Sequence, residues 1–348
     1  MISCAFLIPG DIELPTGGYA YDRRVLGLLE AHGVAARHVV LSASYPSPGE
    51  ADLEETREAV ERLRSDTVLL IDGLAYGAMP AALIAGFRRP IVALCHHPLA
   101  LEAGLSEARQ AALRASETEA LAKAHHVIVT SPATRALLVR EFGVPAGRIT
   151  VAIPGTDPAP RSQGSDAGTR LLAVGSIVPR KGYDILIEAL TQLADLDWTL
   201  TIVGAGDRSP ATTEALVAQI AARGLAPRVT LAGALSNPDL SLQYGAADLF
   251  VMPSLFEGYG MVLAEAMARG LPIVCTTGGA AAETAPDAAA IKVPPGDVVA
   301  LSDAIARVVR DRALKADMAK ASWSAGQTLP RWEDTARLVA GAIRKVCA

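Results

Sequence analysis

Two carboxylates, Glu257 and Glu265, stand with seven residues between them in the stretch 253–274, PSLFEGYGMVLAEAMARGLPIV. The apolar run 247–252 ahead of it reads as a buried strand. Pro253 and Ser254 turn the chain, and Glu257 opens the glycine-bearing loop Gly258-Tyr259-Gly260. From Met261 and Val262 onward the residue types favour a helix, which Gly270 and Pro272 stop. Glu257 therefore lies on the loop and Glu265 about one turn inside the helix. A helix N-terminus offers free N–H groups and a partial positive charge, which suit a phosphate. Carboxylates beside it are poor phosphate ligands but good acceptors for sugar and ribose hydroxyls. The combination implies a pocket for a sugar nucleotide.

Other loops carry groups of matching chemistry. Gly175-Ser176-Ile177-Val178-Pro179-Arg180-Lys181-Gly182 follows a predicted strand, and its adjacent cations suit a diphosphate. Gly204-Ala205-Gly206-Asp207 lacks the third glycine of a dinucleotide fingerprint and reads as a loop of close approach. In Gly233-Ala234-Leu235 open backbone groups are available to a base edge. Nearer the start, Gly17-Gly18 at a helix start lets backbone approach an anion or a sugar, although a simple turn uses the same residues. His96 ends a strand, where an imidazole can hydrogen-bond a reacting group. His97 reads as a cap or a surface residue, and His125 and His126, at the start of a strand, as structural. No zinc spacing links these four, and no metal is expected. Asp195-Leu196-Asp197 precedes a strand, at the far end of its sheet, and also reads as structural.

These loops need a scaffold that brings strand ends together. Strand-like runs fall near 2–8, 36–41, 67–71, 91–95, 127–130 and 149–153, and again near 171–174, 199–203, 229–232, 249–252, 273–275 and 290–293. Helical patterns fill the gaps, among them 19–31, 53–63, 110–122, 134–142, 185–193, 212–223 and 299–310. Strands alternating with helices imply parallel sheets covered on both faces, and two such sets imply two doubly wound α/β domains. The expected boundaries are an N-terminal domain at 1–157, a linker at 158–168 (PAPRSQGSDAG), a second domain at 169–324 and a final helical segment at 325–348. The chain of 348 residues accommodates two domains. Its net charge of −5 gives no basic footprint for nucleic acid. No apolar run approaches the ~18–20 residues of a membrane span. The opening 2–9 reads as a strand rather than a signal peptide core. Cys4, Cys95, Cys275 and Cys347 show no metal spacing and read as buried, reduced thiols of a cytoplasmic protein.

Taken in order, these segments resemble the family-4 retaining glycosyltransferases of the GT-B fold over nearly the whole chain. The resemblance rests on Gly17-Gly18 followed by Leu26, Leu29 and His32-Gly33, and on His96 ending PIVALCH. It continues through SETEALAKAHHVIVTSPAT, VAIPGTD and VGSIVPRKGYDILIEAL to the pair Glu257 and Glu265. It implies two Rossmann-like domains facing a central cleft, with the acceptor mainly on the first, the donor mainly on the second, and a final helix crossing back to the first. It further implies that Glu257 contacts hydroxyls of the transferred sugar, that Glu265 holds the ribose, that Arg180 and Lys181 bind the pyrophosphate, and that His96 and the Gly17-Gly18 loop lie at the reacting centre. Such enzymes retain the anomeric configuration, need no metal and are thought to use no protein nucleophile. Three departures stand out. Ser176 replaces the arginine frequent after the glycine at 175, Met261-Val262 replaces Leu-Pro, and Ile153-Pro154-Gly155 replaces a Pro-x-Gly order.

The expected function is transfer of a sugar from a nucleoside-diphosphate sugar to a hydroxyl of a sugar, lipid or small molecule. A disaccharide phosphorylase of the same fold and a non-catalytic nucleotide-sugar binding protein are the alternatives. A glycosidase-like acid/base use of Glu257 and Glu265 is disfavoured, because the helix sets Glu265 beside an anion site. Many relatives reach lipids through a basic helix of the first domain. Here Glu107, Glu117 and Glu119 dilute Arg109, Arg114 and Lys123, which leaves at most a peripheral membrane contact.

Overall fold

The computed structural model describes residues 1–165 and 168–347. Asp166 and Ala167 of the expected linker, and Ala348, lie outside the described residues. The chain divides into two compact units, Met1–Gly155 with Pro330–Ala348, and Thr156–Leu329.

In unit 1 the strands are β1 (Ile2–Pro9), β2 (Val34–Leu41), β3 (Val68–Asp72), β4 (Ile91–Cys95), β5 (His126–Val129) and β6 (Ile149–Val151). They form one parallel sheet in the order β2-β1-β3-β4-β5-β6. Successive residues of a strand point to opposite faces. In β1 both sets are buried, Ala5 and Leu7 as well as Phe6 and Ile8, so both faces of the sheet are covered. Unit 2 repeats the plan with β7 (Thr169–Val174), β8 (Trp198–Val203), β9 (Val229–Gly233), β10 (Leu249–Met252), β11 (Ile273–Thr276) and β12 (Ala290–Val293). Its parallel order is β12-β11-β10-β7-β8-β9. Among the described residues, each of these strands falls where an apolar run predicts it.

Each sheet reverses its winding once, between β1 and β3 in unit 1 and between β7 and β10 in unit 2. Helices leave the two central strands in opposite directions there, so a crevice opens at their carboxyl ends, which is where doubly wound sheets bind ligands.

Two segments depart from a plain sandwich. The stretch after Thr156 is aperiodic but anchored to unit 2. Ser162 N–H donates to Arg269 O at 2.9 Å, and its hydroxyl donates to Gly245 O and Ala247 O at 3.0 and 2.8 Å. The last helix, Trp332–Lys345, packs on unit 1. Trp332 meets Tyr21 edge to face at 5.9 Å, and the Thr335 hydroxyl donates to Ile153 O at 2.7 Å. Cys4, Cys95 and Cys275 are buried in strands as expected, whereas Cys347 is exposed at the helix end. Among the described residues no helix is long and apolar enough to cross a membrane.

Candidate functional site

The reversal in unit 2 gathers the residues singled out above. The loop after β7 carries Ser176, Arg180 and Lys181, and the loop after the neighbouring β10 carries Glu257. Lys181 Nζ donates to Glu257 Oε1 at 2.6 Å, and Arg180 Nη1 lies 3.4 Å from Glu257 Oε2. Arg180 also donates to Phe256 O at 2.7 Å, while its own carbonyl accepts Leu255 N–H at 2.8 Å. The two loops are thus tied through backbone as well as charge. All three charged side chains are largely buried. Burial by itself would raise the Glu257 carboxyl. The charges of Lys181 and Arg180 overcome that and hold it at about 2. The carboxylate expected at sugar hydroxyls and the cations expected at a diphosphate form one buried ionic group.

Gly258, Tyr259 and Gly260 are buried, and Gly260 has a φ of 86°, a left-handed conformation that an L side chain rarely adopts. It starts the helix Met261–Ala268 without a side-chain cap, and Met261 and Val262 line its first turn. Glu265 sits half-buried in this helix. The Tyr244 hydroxyl donates to Glu265 Oε2 at 2.8 Å. Arg269 donates to the Glu265 carbonyl at 3.0 Å and lays its guanidinium 4.4 Å from the Tyr244 ring centre. Burial raises the Glu265 carboxyl, and the Tyr244 bond and the Arg269 charge pull it back. Tyr244 itself is fully buried and stacked on Phe250.

The remaining predicted loops of unit 2 run side by side. A Cβ at Gly204 would sit 1.9 Å from Gly175 O, so only glycine fits there. Ile177 N–H donates to Ala205 O at 2.8 Å, and Gly204 N–H to Gly233 O at 2.9 Å. Ala234 and Leu235 follow, the first exposed and the second half-buried.

In unit 1 the reversal places the turn after β1 beside the ends of β3 and β4. Thr16 caps the helix Gly17–Leu28 through its hydroxyl oxygen, which accepts Tyr19 N–H at 3.1 Å. A Cβ on Gly18 would lie 3.4 Å from the His96 ring, so the glycine turn and the histidine adjoin. His96 Nε2 lies 3.1 Å from Asp22 Oδ1 and 3.4 Å from Asp72 Oδ2, and Tyr21 meets the ring edge to face at 5.2 Å. Asp72 also caps the next helical turn by accepting Leu74 N–H at 2.8 Å. Burial would lower the imidazole, but Asp22 and Asp72 reverse this and raise it to about 10. Burial raises Asp22 in turn. One nitrogen or oxygen atom from each of these three side chains falls within 4.8 Å of the other two, and the imidazole Nε2 is shared between the two carboxylates.

The residues read as structural have structural partners. His97 pairs with Glu102 at 3.0 Å, His125 Nδ1 accepts Ile91 N–H at 3.1 Å, and His126 Nε2 lies 2.8 Å from Thr150 Oγ1. Asp195 pairs with Arg310 at 3.1 Å, and the Asp197 carbonyl accepts Thr169 N–H at the entry to β7. Sequence reasoning passed over Asp22, Asp72, Tyr244 and Arg269. Two of these left a trace. Asp72 is a carboxylate closing an apolar central strand, and Asp22 stands four residues after Gly18, on the same helix face. Tyr244 and Arg269 left none.

The profile "Glycosyltransferase Family 4" matches residues 20–159, and "Glycosyl transferases group 1" matches residues 168–311. The mannosylfructose-phosphate synthase of Agrobacterium fabrum is 32% identical over 171 residues, 44% of this chain and 38% of that protein. The GDP-mannose-dependent monoacylated alpha-(1-6)-phosphatidylinositol monomannoside mannosyltransferase of Corynebacterium glutamicum is 34% identical over 202 residues, 55% and 51% of the two chains. The matched part therefore spans about half or less of these curated relatives. Among solved structures, the sucrose-phosphate synthase of Thermosynechococcus elongatus superposes with a TM-score of 0.85 over 99% of both chains at 24% identity, a likeness of fold. The chain is a GT-B-fold protein related to the family-4 glycosyltransferases.

Proposed function

We propose that the protein is a retaining glycosyltransferase that moves a hexose from a nucleoside-diphosphate sugar to a hydroxyl of a sugar, lipid or small-molecule acceptor, without metal. The observation that carries this reading is the buried group of Lys181, Arg180 and Glu257 at the β7/β10 reversal, immediately before an uncapped helix N-terminus. Departure of the nucleotide places negative charge on the β-phosphate. Two fixed cations and free helix N–H groups are the means to stabilise it, roughly 3–4 kcal/mol for one well-placed donor. Glu265, oriented by Tyr244, is the acceptor for ribose hydroxyls. Ser176, Gly204, Ala234 and Leu235 line the neighbouring loops for phosphate and base. In unit 1, His96 and the Gly17-Gly18 turn are the groups assigned to the acceptor.

Glu257 is assigned to hydroxyls of the transferred sugar rather than to proton transfer. A carboxyl held at about 2 by two cations is a weak base and stays ionised at neutral pH, so it serves neither half of a glycosidase-type acid/base pair. The reading places the reaction in the cytoplasm, with any membrane contact peripheral. GDP-mannose is the first donor to try, because the name of the Corynebacterium relative specifies it.

The test is transfer from GDP-mannose and UDP-glucose to a panel of sugar, inositol-phosphate and lipid acceptors, with and without EDTA, the product anomer being read by proton NMR. Transfer that survives EDTA and keeps the donor configuration is expected. Inversion, or phosphate-dependent disaccharide cleavage without any nucleotide, would overturn the assignment.

A further inference from the structure

Asp22 has no role in the scheme above, yet it is fully buried and its second oxygen, Oδ2, has no hydrogen-bond partner among the described residues. Its first oxygen faces His96 Nε2 at 3.1 Å. A buried carboxylate is costly unless a cation pays for it in Coulomb energy, and the imidazole is the cation within reach. We propose that Asp22 is a positioning residue, which together with Asp72 clamps the His96 ring through Nε2 and keeps it in its cationic form, leaving Nδ1–H as the donor offered to substrate.

The geometry supports each part. Two carboxylates from different elements, the helix Gly17–Leu28 and the end of β3, converge on one ring nitrogen, which puts a proton on Nε2, and their two negative charges at 3.1 and 3.4 Å favour the second proton on Nδ1. Tyr21 holds the ring edge-on from one side and Gly18 leaves room on another. Nδ1 has no hydrogen-bond partner among the described residues, and the side chain keeps 21% of its exposure. Among the described residues, the titratable groups at the ring are Asp22, Asp72 and Tyr21. Burial pushes the Tyr21 phenol up, so it is neutral at pH 7. Only the two carboxylates set the charge of the ring. A protonated histidine is a stronger, charge-assisted donor than a neutral one.

The proposal rests on the transferase reading only for what Nδ1–H faces; the state of the ring is tested without turnover. In protein labelled with carbon-13 histidine, the His96 Cε1–H resonance, assigned with His96→Gln, is followed from about pH 6 to about pH 9. The wild-type resonance stays at its protonated position throughout. In Asp22→Asn, which keeps the shape and removes the charge, it titrates inside that window. Transfer activity then follows the same curve. The variant approaches wild type near pH 6 and falls towards about tenfold per pH unit above its midpoint, the limit for loss of one proton, and Asp22→Glu recovers the wild-type profile. A merely structural role would lower activity equally at every pH. The proposal is overturned if wild-type His96 titrates near neutrality, if Asp22→Asn gives a profile parallel to wild type, or if Mn²⁺ selectively broadens the wild-type His96 signal, which would make the cluster a cation site. Absence of transfer in both proteins, with the resonance behaving as expected, would count against the transferase reading alone.

Discussion

Replacing Glu257 by glutamine keeps the shape of the side chain and removes its charge from a site where two cations depend on it. The magnitude follows from the structure. In the fold the carboxyl is held at about 2, against an ordinary value of 4.5. At about 1.4 kcal/mol per unit, the ionised form is favoured by the fold by roughly 3 kcal/mol at neutral pH. The general cost of breaking one side of a buried pair, about 3–5 kcal/mol, agrees. With a side chain only 9% exposed, little of this is lost to solvent screening. A domain of the size of unit 2 loses roughly 2–4 °C in melting temperature per kcal/mol, so Glu257→Gln should melt some 6–12 °C below wild type at pH 7. The pH dependence has a definite sign. Because the folded value is depressed, this stabilisation is complete above about pH 4.5 and is lost as pH falls through about 2, so the two proteins converge on acidification. Ligand binding has the opposite sign. A nucleoside diphosphate supplies negative charge to Lys181 and Arg180, so any one that shifts the wild type should shift the variant more, while transfer should fall with loss of the proposed sugar contact. Differential scanning calorimetry from pH 3 to pH 8, with and without nucleotide, reads all of this. Equal melting temperatures at pH 7, or a smaller nucleotide shift in the variant, would refute the view of Glu257 as the counter-ion of the cation pair.

Lys181→Ala should lower turnover by about 10²–10³ with a smaller change in KM, since its charge is needed most as the nucleotide leaves; under tenfold in kcat would count against the phosphate role. Glu265→Ala should weaken nucleotide binding more than turnover. Tyr244→Phe should weaken it in the same direction by up to about 1.5–3 kcal/mol, the value of a hydrogen bond to a charged group, and titration calorimetry distinguishes this from no effect. Glu117 is buried in unit 1 under the backbone N–H groups of Leu99 and Ala100, at 3.0 and 3.4 Å, and burial raises it to about 7. Its folded form therefore binds the proton more tightly, and its contribution to stability falls as pH rises from about 4.5 to about 7. The melting-temperature difference between wild type and Glu117→Gln should show that slope, and a difference constant across the window would contradict it.

The scaffold was legible because its signals are local. Apolar runs such as VLLID and LFVM, each followed by a helical pattern, are enough to define parallel doubly wound sheets, and no long-range information is needed to place their loops at strand ends. The loop residues Arg180, Lys181, Glu257 and His96 were legible as candidates for the same reason. What was not legible was their partnership. Lys181 and Glu257 are 76 residues apart, and nothing in either segment announces that β7 and β10 are neighbours. Tyr244 reads as one more aromatic on the helix Asn237–Ala246; only the packing of that helix turns its hydroxyl toward Glu265. Asp22 reads as a surface charge in the YDRR string, because burial of a carboxylate depends on a histidine 74 residues away. The aperiodic stretch after Asp157 reads as a loose connection, yet Ser162 fastens it to three carbonyls of unit 2 through bonds that composition does not reveal.

The central claim is that unit 2 binds a nucleoside diphosphate through Lys181, Arg180 and Glu265. The most direct measurement is a thermal-shift series with UDP, GDP, ADP and TDP on the wild type, repeated on Lys181→Ala. One or two of these nucleotides should stabilise the wild type by about 2.7 kcal/mol at a hundred times the dissociation constant, with the shift largely lost in the variant. If none of the four shifts the wild type, or if the variant responds as fully as the wild type, the claim is contradicted.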